Sequence, residues 1–180
     1  MIEERSRNRP LGSVFLYEDE SDFLLKPLLG KTLQKVGKQA IVPATLESKK
    51  FYCFAALNID TLEVTHINRR RKRSLEFIEF LEALRQRYPG RLKILVLDNY
   101  SIHNSKAVKE YLTRNREEFE FLFLPTYSPK LNPMEDVWRV TKNRICRNVF
   151  HGTIERLEMA LDEEIGCRSY ENAVIAKLAA

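Results

Sequence analysis

The sequence predicts an α/β domain in which a mixed β-sheet is covered by helices on both faces. Three observations carry that expectation. The chain has 180 residues, 44% of them hydrophobic, enough for one sizeable core and too little for two. Its first half holds short apolar runs rich in strand formers and separated by turn residues, the pattern of a β-meander. From Ser74 onward, amphipathic stretches of helical length alternate with apolar strands, as in right-handed β-α-β units.

The elements follow in order. "SVFLYEDE" (Ser13 to Glu20) is a buried strand with Asp19 at its C-terminal end. "KQAIVPAT" and "KKFYCFAALNID" are two further strands, and "LEVTHIN" a fourth segment after a tight turn near Asp60. "SLEFIEFLEALRQRYPG" sets Leu75, Ile78, Leu81 and Leu84 on one helical stripe and stops at Pro89 and Gly90. "LKILVLDNY" is an apolar strand ending at Asp98, and "SKAVKEYLTRN" a helix capped by Asn104 or Ser105. "FEFLFLP" is the next strand, followed by a proline-rich loop. "MEDVWRVTKNRICRNVF" is then a helix facing Val137, Trp138, Thr141 and Ile145 inward, and a last helix runs from about Thr153 to Ile165. Residues 1–12 are expected as a tail and 13–180 as one domain.

Thirty basic and twenty-five acidic residues leave a net charge of +5 and a pI near 9.1, an excess that favours a polyanionic partner such as nucleic acid. Cys53, Cys146 and Cys167 form neither a CxxC pair nor an even disulfide set, which fits buried thiols in a reducing cytosol. The start has no signal-peptide core, and no stretch approaches the roughly 18 apolar residues of a membrane span. A soluble, non-secreted protein is expected.

In open α/β sheets, functional groups collect beyond the carboxyl ends of strands. Asp19 and Asp98 each close a buried run. Alternation puts Phe15, Tyr17 and Asp19 on one face, and likewise Ile94, Val96 and Asp98, so neighbouring strands would aim both aspartates the same way. Glu135 could join them from its helix. Locally, however, Asn132, Pro133 and Glu135 also make a capping box with proline at the first helical position. A lone strand-end Asp is equally a turn former or cap partner, and Glu18, Glu20, Asp22 and Asp136 are nearby acids. Strand alternation favours Asp19 over Glu18, and the cap position favours Glu135 over Asp136. Two unit charges about 4 Å apart repel by roughly 4 kcal/mol at an effective dielectric near 20, so three clustered carboxylates need raised pKa values or divalent ions. Oxygen-rich sites of this kind suit Mg²⁺ or Mn²⁺, and paired ions suit in-line displacement at a phosphodiester.

"YEDES" around Asp19, "LVLDNYSIHNSKAVKEYL" around Asp98 and "LPTYSPKLNPMEDVWRVTK" around Glu135 together resemble the catalytic domain of mariner-superfamily transposases, in the bacterial insertion-sequence branch. The resemblance spans about Ser13 to Arg147. Asp98 and Glu135 are 37 positions apart, close to the short second spacing of that family's Asp-Asp-Glu triad. The resemblance implies a ribonuclease H-like mixed five-stranded sheet, as in retroviral integrases. It also implies Asp19, Asp98 and Glu135 as a catalytic triad binding two Mg²⁺ or Mn²⁺ ions. The implied activity is cleavage at transposon ends and 3′-hydroxyl strand transfer into target DNA, by a homodimer on DNA, in the bacterial cytoplasm and at the nucleoid. The family usually adds an N-terminal helix-turn-helix region. Only about a dozen residues precede the first strand here, so that region is not expected in this chain.

Arg139 and Lys142 follow Glu135 at i+4 and i+7, nearly on its face, and could hold phosphates beside the cut or form a paired, solvated surface with Arg144 and Arg147. "NRRRKRS" places Arg69, Arg70 and Arg71 in a basic turn that could bind DNA backbone without reading sequence. His103, five residues after Asp98, matches a histidine common at that family position. It could touch substrate, orient a ligand, or simply bond local backbone. His66 and His151 lack ligand spacing, and Trp138 is expected in the core. Two alternatives remain: a catalytically idle DNA-binding or regulatory remnant, and a nuclease acting on RNA:DNA hybrids.

Overall fold

The computed structural model describes residues 2–125, 131–167, 170 and 174. Its strands are β1 (Val14–Leu24), β2 (Lys50–Asn58), β3 (Val64–Arg69), β4 (Lys93–Leu97) and β5 (Phe119–Phe123). They form one five-stranded sheet in the order β3-β2-β1-β4-β5. The meander β1-β2-β3 is antiparallel, whereas β4 joins β1, and β5 joins β4, in parallel. The helices are α1 (Ile2–Arg7), α2 (Ser74–Arg87), α3 (Lys106–Arg114), α4 (Met134–Ile145) and α5 (Ile154–Gly166).

The pleat sends alternate side chains to opposite layers. Val14, Leu16, Phe54, Ala56, Leu95 and Leu97 pack under α2 and α3 against Phe77, Phe80, Leu81, Leu84 and Val108. Phe23, Phe51, Cys53, Ala55 and Leu57 pack under α4 and α5 against Val137, Trp138, Leu157 and Leu161. Toward β5 that second face carries Phe15, Ile94 and Val96, with Ile2 of α1 resting against them. Arg5 fixes α1 there by gripping Glu120 at 2.8 and 2.6 Å.

Local chemistry sets the joints. Asn58 Oδ1 accepts from the Asp60 N–H at 2.9 Å and Leu62 takes a left-handed φ of 57°, closing the β2-β3 turn. Ser105 and Thr153 cap α3 and α5 by accepting from Val108 and Arg156 backbone N–H groups.

Five features differ from the expectation. "KQAIVPAT" is not a strand; it lies in an arm, residues 26–49, that leaves the sheet after β1 and is largely exposed. Pro43 removes a ladder donor, and β2 already has β1 and β3 on its two edges. β1 itself runs on to Leu24, because β2 pairs with it as far as Lys50, so Asp19 sits within the strand opposite Ala55. The buried stripe of α2 is Phe77, Phe80, Leu81 and Leu84, while Leu75 is 60% exposed. Turning toward Phe54 buries two aromatic rings instead of one leucine. The expected tail contains α1, and Cys167 is exposed whereas Cys53 and Cys146 are buried. The proline-rich loop, residues 126–130, lies outside the described residues. Among the described residues, no helix is long and apolar enough to cross a membrane.

Candidate active site

β1 and β4 are neighbours with Phe15 beside Ile94 and Tyr17 beside Val96. Extending that register by one pleat sets Asp98, just past β4, next to Asp19. The two carboxylates feel each other, since Asp98 helps raise the Asp19 pKa. Burial is the larger cause, with Glu20 second, and together they lift Asp19 to about 7. Asp98 is more open, with its side chain 56% exposed, and its pKa is lowered by the hydrogen bond from His103 and by the Tyr100 N–H. That N–H donates to Asp98 Oδ1 at 2.8 Å.

Glu135 stands exposed in the first turn of α4. The start of that helix is tied to β1. Buried Asn132 donates from Nδ2 to the Glu18 carbonyl at 2.8 Å, and its Oδ1 accepts from the Met134 N–H at 3.0 Å. The same side chain therefore caps the helix and pins it one residue from Asp19. Pro133 has helical dihedrals (φ −65°, ψ −18°) although the regular helix starts at Met134. Farther along, Trp138 packs edge-on to Phe23 at 5.8 Å, which keeps α4 over the face that carries Asp19.

Behind the aspartates, on the opposite face of β1, lies a buried polar cluster. Glu18, Glu20 and His103 bring ligand-type atoms within 4.8 Å of one another. His103 Nε2 is 3.1 Å from Glu20 Oε1 and 3.7 Å from Glu18 Oε2, while Nδ1 is 3.1 Å from the Asp98 carbonyl and 3.3 Å from its Oδ1. Both ring nitrogens face oxygen atoms that can accept, an arrangement that favours the doubly protonated ring. Burial alone would lower its pKa, but Asp98, Glu20 and Glu18 outweigh that and hold it up at about 11. Glu18 has no hydrogen bond to either oxygen among the described residues, and burial pushes its pKa well up. Lys72 closes the cluster, 3.6 Å from Glu20 and 4.2 Å above the Tyr100 ring.

The other basic residues named from the sequence are placed as follows. Arg139 is 62% exposed and leans on Asp136 at 3.1 Å. Lys142 lies 3.7 Å from Asp22 and over the Phe23 ring at 5.3 Å. Arg69 pairs with Glu79, and Arg70 with Glu155 and Glu158 of α5, while Arg71 is exposed. Sequence reasoning did not assign Lys72 or Glu20 to the site. Lys72 belongs to the basic run expected to form a DNA-facing turn, and nothing local shows that its side chain turns to Glu20 instead.

A mixed sheet in this order, with one acid on its central strand, another just past the neighbouring parallel strand and a third on a helix over one face, defines a ribonuclease H-like domain. The sequence matches the DDE superfamily endonuclease family over residues 14–158, and the chain belongs to that family. It is 33% identical over 148 residues to the insertion element IS630 uncharacterized 39 kDa protein of Shigella sonnei, covering 82% of this chain and 42% of that protein. The fold matches a Mos1 transposase paired-end complex with left transposon end (TM-score 0.72, 18% identity, 98% of this chain, 55% of that chain). It also matches the catalytic domain of Mos1 mariner transposase (TM-score 0.62, 15% identity, 98% and 82%). Other matching Mos1 paired-end complexes were solved with Mn and with Mg. The chain thus spans less than half of its insertion-element relative and about half of the Mos1 chain in the paired-end complex.

Proposed function

We propose that this chain is the catalytic domain of a DNA transposase, cutting phosphodiesters at transposon ends and joining the exposed 3′-hydroxyl to target DNA. The observation that carries this reading is the closeness of Asp19 and Asp98, which feel each other's charge one pleat beyond the parallel β1-β4 register, in a chain of the DDE endonuclease family. Asp19, Asp98 and Glu135 act as the triad. Their fit to a hard divalent cation rests on Asp19, whose pKa of about 7 reflects burial beside the acids Glu20 and Asp98, partly offset by a backbone hydrogen bond and by Lys72. Two Mg²⁺ or Mn²⁺ ions there would supply an activated water or 3′-hydroxyl and a stabilised leaving oxygen. Asp19 brings a carboxylate on the rigid centre of the sheet, Asp98 an open oxygen at the strand end, and Glu135 a carboxylate on a helix that Asn132 anchors.

Lys142 and Arg139 extend from the Glu135 helix toward the DNA backbone, and the turn carrying Arg69, Arg70 and Arg71 offers a second phosphate contact. His103 contributes from beneath the site rather than by touching DNA. Transposition joins two ends, so the active species is a homodimer on DNA, acting at the nucleoid in a bacterial cytoplasm. The arm is a surface that assembly would cover, since Leu29, Leu33, Val36, Ile41 and Leu46 are all at least 80% exposed on it.

Incubating the protein with duplex DNA bearing pre-cut 3′ ends tests the activity. Joined products are expected with Mg²⁺ or Mn²⁺ and none with chelator. Cleavage confined to RNA:DNA hybrids, or DNA binding without joining when an end-recognition domain is supplied, would overturn the proposal.

Two smaller results are expected. Lys142→Ala should weaken DNA binding and reduce the slope of log affinity against log salt by about 0.9; an unchanged slope removes Lys142 from the interface. Metal affinity should also depend on pH. Asp19 releases its proton near 7, so below that pH a cation must displace a proton, and affinity falls about tenfold per pH unit until other groups titrate. Above pH 7 the curve should flatten, and Asp98, held low by His103, adds nothing in this window. Calorimetric Mn²⁺ titrations at pH 6 and pH 8 read this directly; equal affinities would contradict it. The corresponding stability change has the opposite use of the same proton: between the ordinary Asp pKa and about 7 only the unfolded chain is ionised at this residue, so the metal-free fold loses stability as pH rises.

A further inference from the structure

We infer that His103 is a positioning residue that fixes the Asp98 carboxylate for metal binding, and that Glu20 in turn fixes His103. This role rests on Asp98 being a metal ligand, as proposed above. Asp98 follows the last strand residue Leu97 and is half exposed, so neither the sheet ladder nor packing restrains its side chain. Two donors restrain it instead. The Tyr100 N–H donates to Oδ1 at 2.8 Å, and His103 Nδ1 makes its hydrogen bond to the Asp98 carbonyl at 3.1 Å while holding the same Oδ1 in an ion-pair contact at 3.3 Å. Among the described residues none hydrogen-bonds Oδ2.

The ring that makes this contact is itself immobile. His103 is 1% exposed and its ring lies tilted against Phe77 of α2 at 4.6 Å, while its far nitrogen is 3.1 Å from Glu20 Oε1. Glu20 is one residue from Asp19 on β1 but points to the opposite face. A connection therefore runs from β1 through Glu20 and His103 to Asp98, so the spacing of the two aspartates is set twice, by the ladder and by this buried bridge. Partners of this kind orient metal ligands, and their loss typically lowers metal affinity about 10–100-fold.

The two ring nitrogens have different jobs, which makes the role separable from packing. An asparagine amide can replace Nδ1–H and still reach Asp98; a glutamine amide can replace Nε2–H and reach only Glu20. Mn²⁺ affinity by calorimetry, and the Mg²⁺ concentration for half-maximal strand joining, are measured for wild type, His103→Asn and His103→Gln, with melting curves alongside. The expected result is a 10–100-fold weaker metal affinity in His103→Gln and a smaller loss in His103→Asn, even if Asn is the less stable of the two. Equal metal affinity in all three, or Gln closer to wild type than Asn, would overturn the role. Should the variants not fold, the ¹⁵N-labelled wild type answers instead. The His103 Nδ1–H resonance should shift when Mg²⁺ is added, and an unmoved resonance under saturating Mg²⁺ rejects the contact. Asp98→Asn separates the two layers: if it binds Mn²⁺ like wild type, the assignment of Asp98 as a ligand fails, whatever the histidine variants do.

Discussion

Replacing Asp98 by asparagine is expected to abolish metal-dependent cleavage and joining while leaving DNA binding and the fold intact. The amide keeps the shape and can still accept from the Tyr100 N–H, so the turn after β4 survives. It removes the charge that a divalent ion needs at the open side of the site. Metal stabilisation of transition-state charge contributes several kcal/mol, and each 1.36 kcal/mol is tenfold in rate, so a fall of about three orders of magnitude or more follows. Glu135→Gln should behave alike, being exposed on α4 and so without a packing role. Strand joining on pre-cut duplex ends, with affinity by anisotropy on the same DNA, measures both quantities. Residual joining within tenfold of wild type in Asp98→Asn would remove it from the triad.

Phe80→Ala is expected to destabilise the sheet's α2 layer strongly. Phe80 is fully buried and its ring lies 6.3 Å from Phe54 and 6.5 Å from Phe77. Truncating such a ring removes its transfer free energy and leaves a cavity that the strands cannot close, costing about 3–5 kcal/mol. For a chain of this size each kcal/mol lowers the melting temperature by roughly 2–4 °C, so a fall of about 10 °C is anticipated by calorimetry. Phe77 also packs on His103, so loss of Phe80 should loosen the site as well. By contrast Leu75→Ala, at an exposed position, should change stability by less than about 0.5 kcal/mol. Similar losses in both variants would mean that the buried stripe is the one the sequence spacing alone indicates.

That stripe shows where sequence reading works and where it stops. Helical periodicity located α2 and its end at Pro89 and Gly90, but two apolar stripes compete on it, Leu75-Ile78 and Phe77-Phe80, and the aromatic partner that decides between them, Phe54, is on a distant strand. "KQAIVPAT" has a strand's composition and no strand to pair with, which no local pattern reports. Asp19 was legible through alternation and Asp98 through its position after an apolar run; their adjacency follows from the parallel register of β1 and β4. The basic run, legible as charge, is divided by the fold: Lys72 turns to Glu20 while Arg70 reaches α5.

The sequence by itself determined the α/β class, the positions along the chain of the strands that pair, the inward face of α4, and the acids that close apolar strand runs or open a helix, because periodicity and turn chemistry act within a few residues. Only the tertiary structure decided which acids meet. Glu20 and His103 are separated by 83 positions, and Asn132 and Glu18 by 114, so their contacts exist only once sheet register and helix packing bring distant segments together.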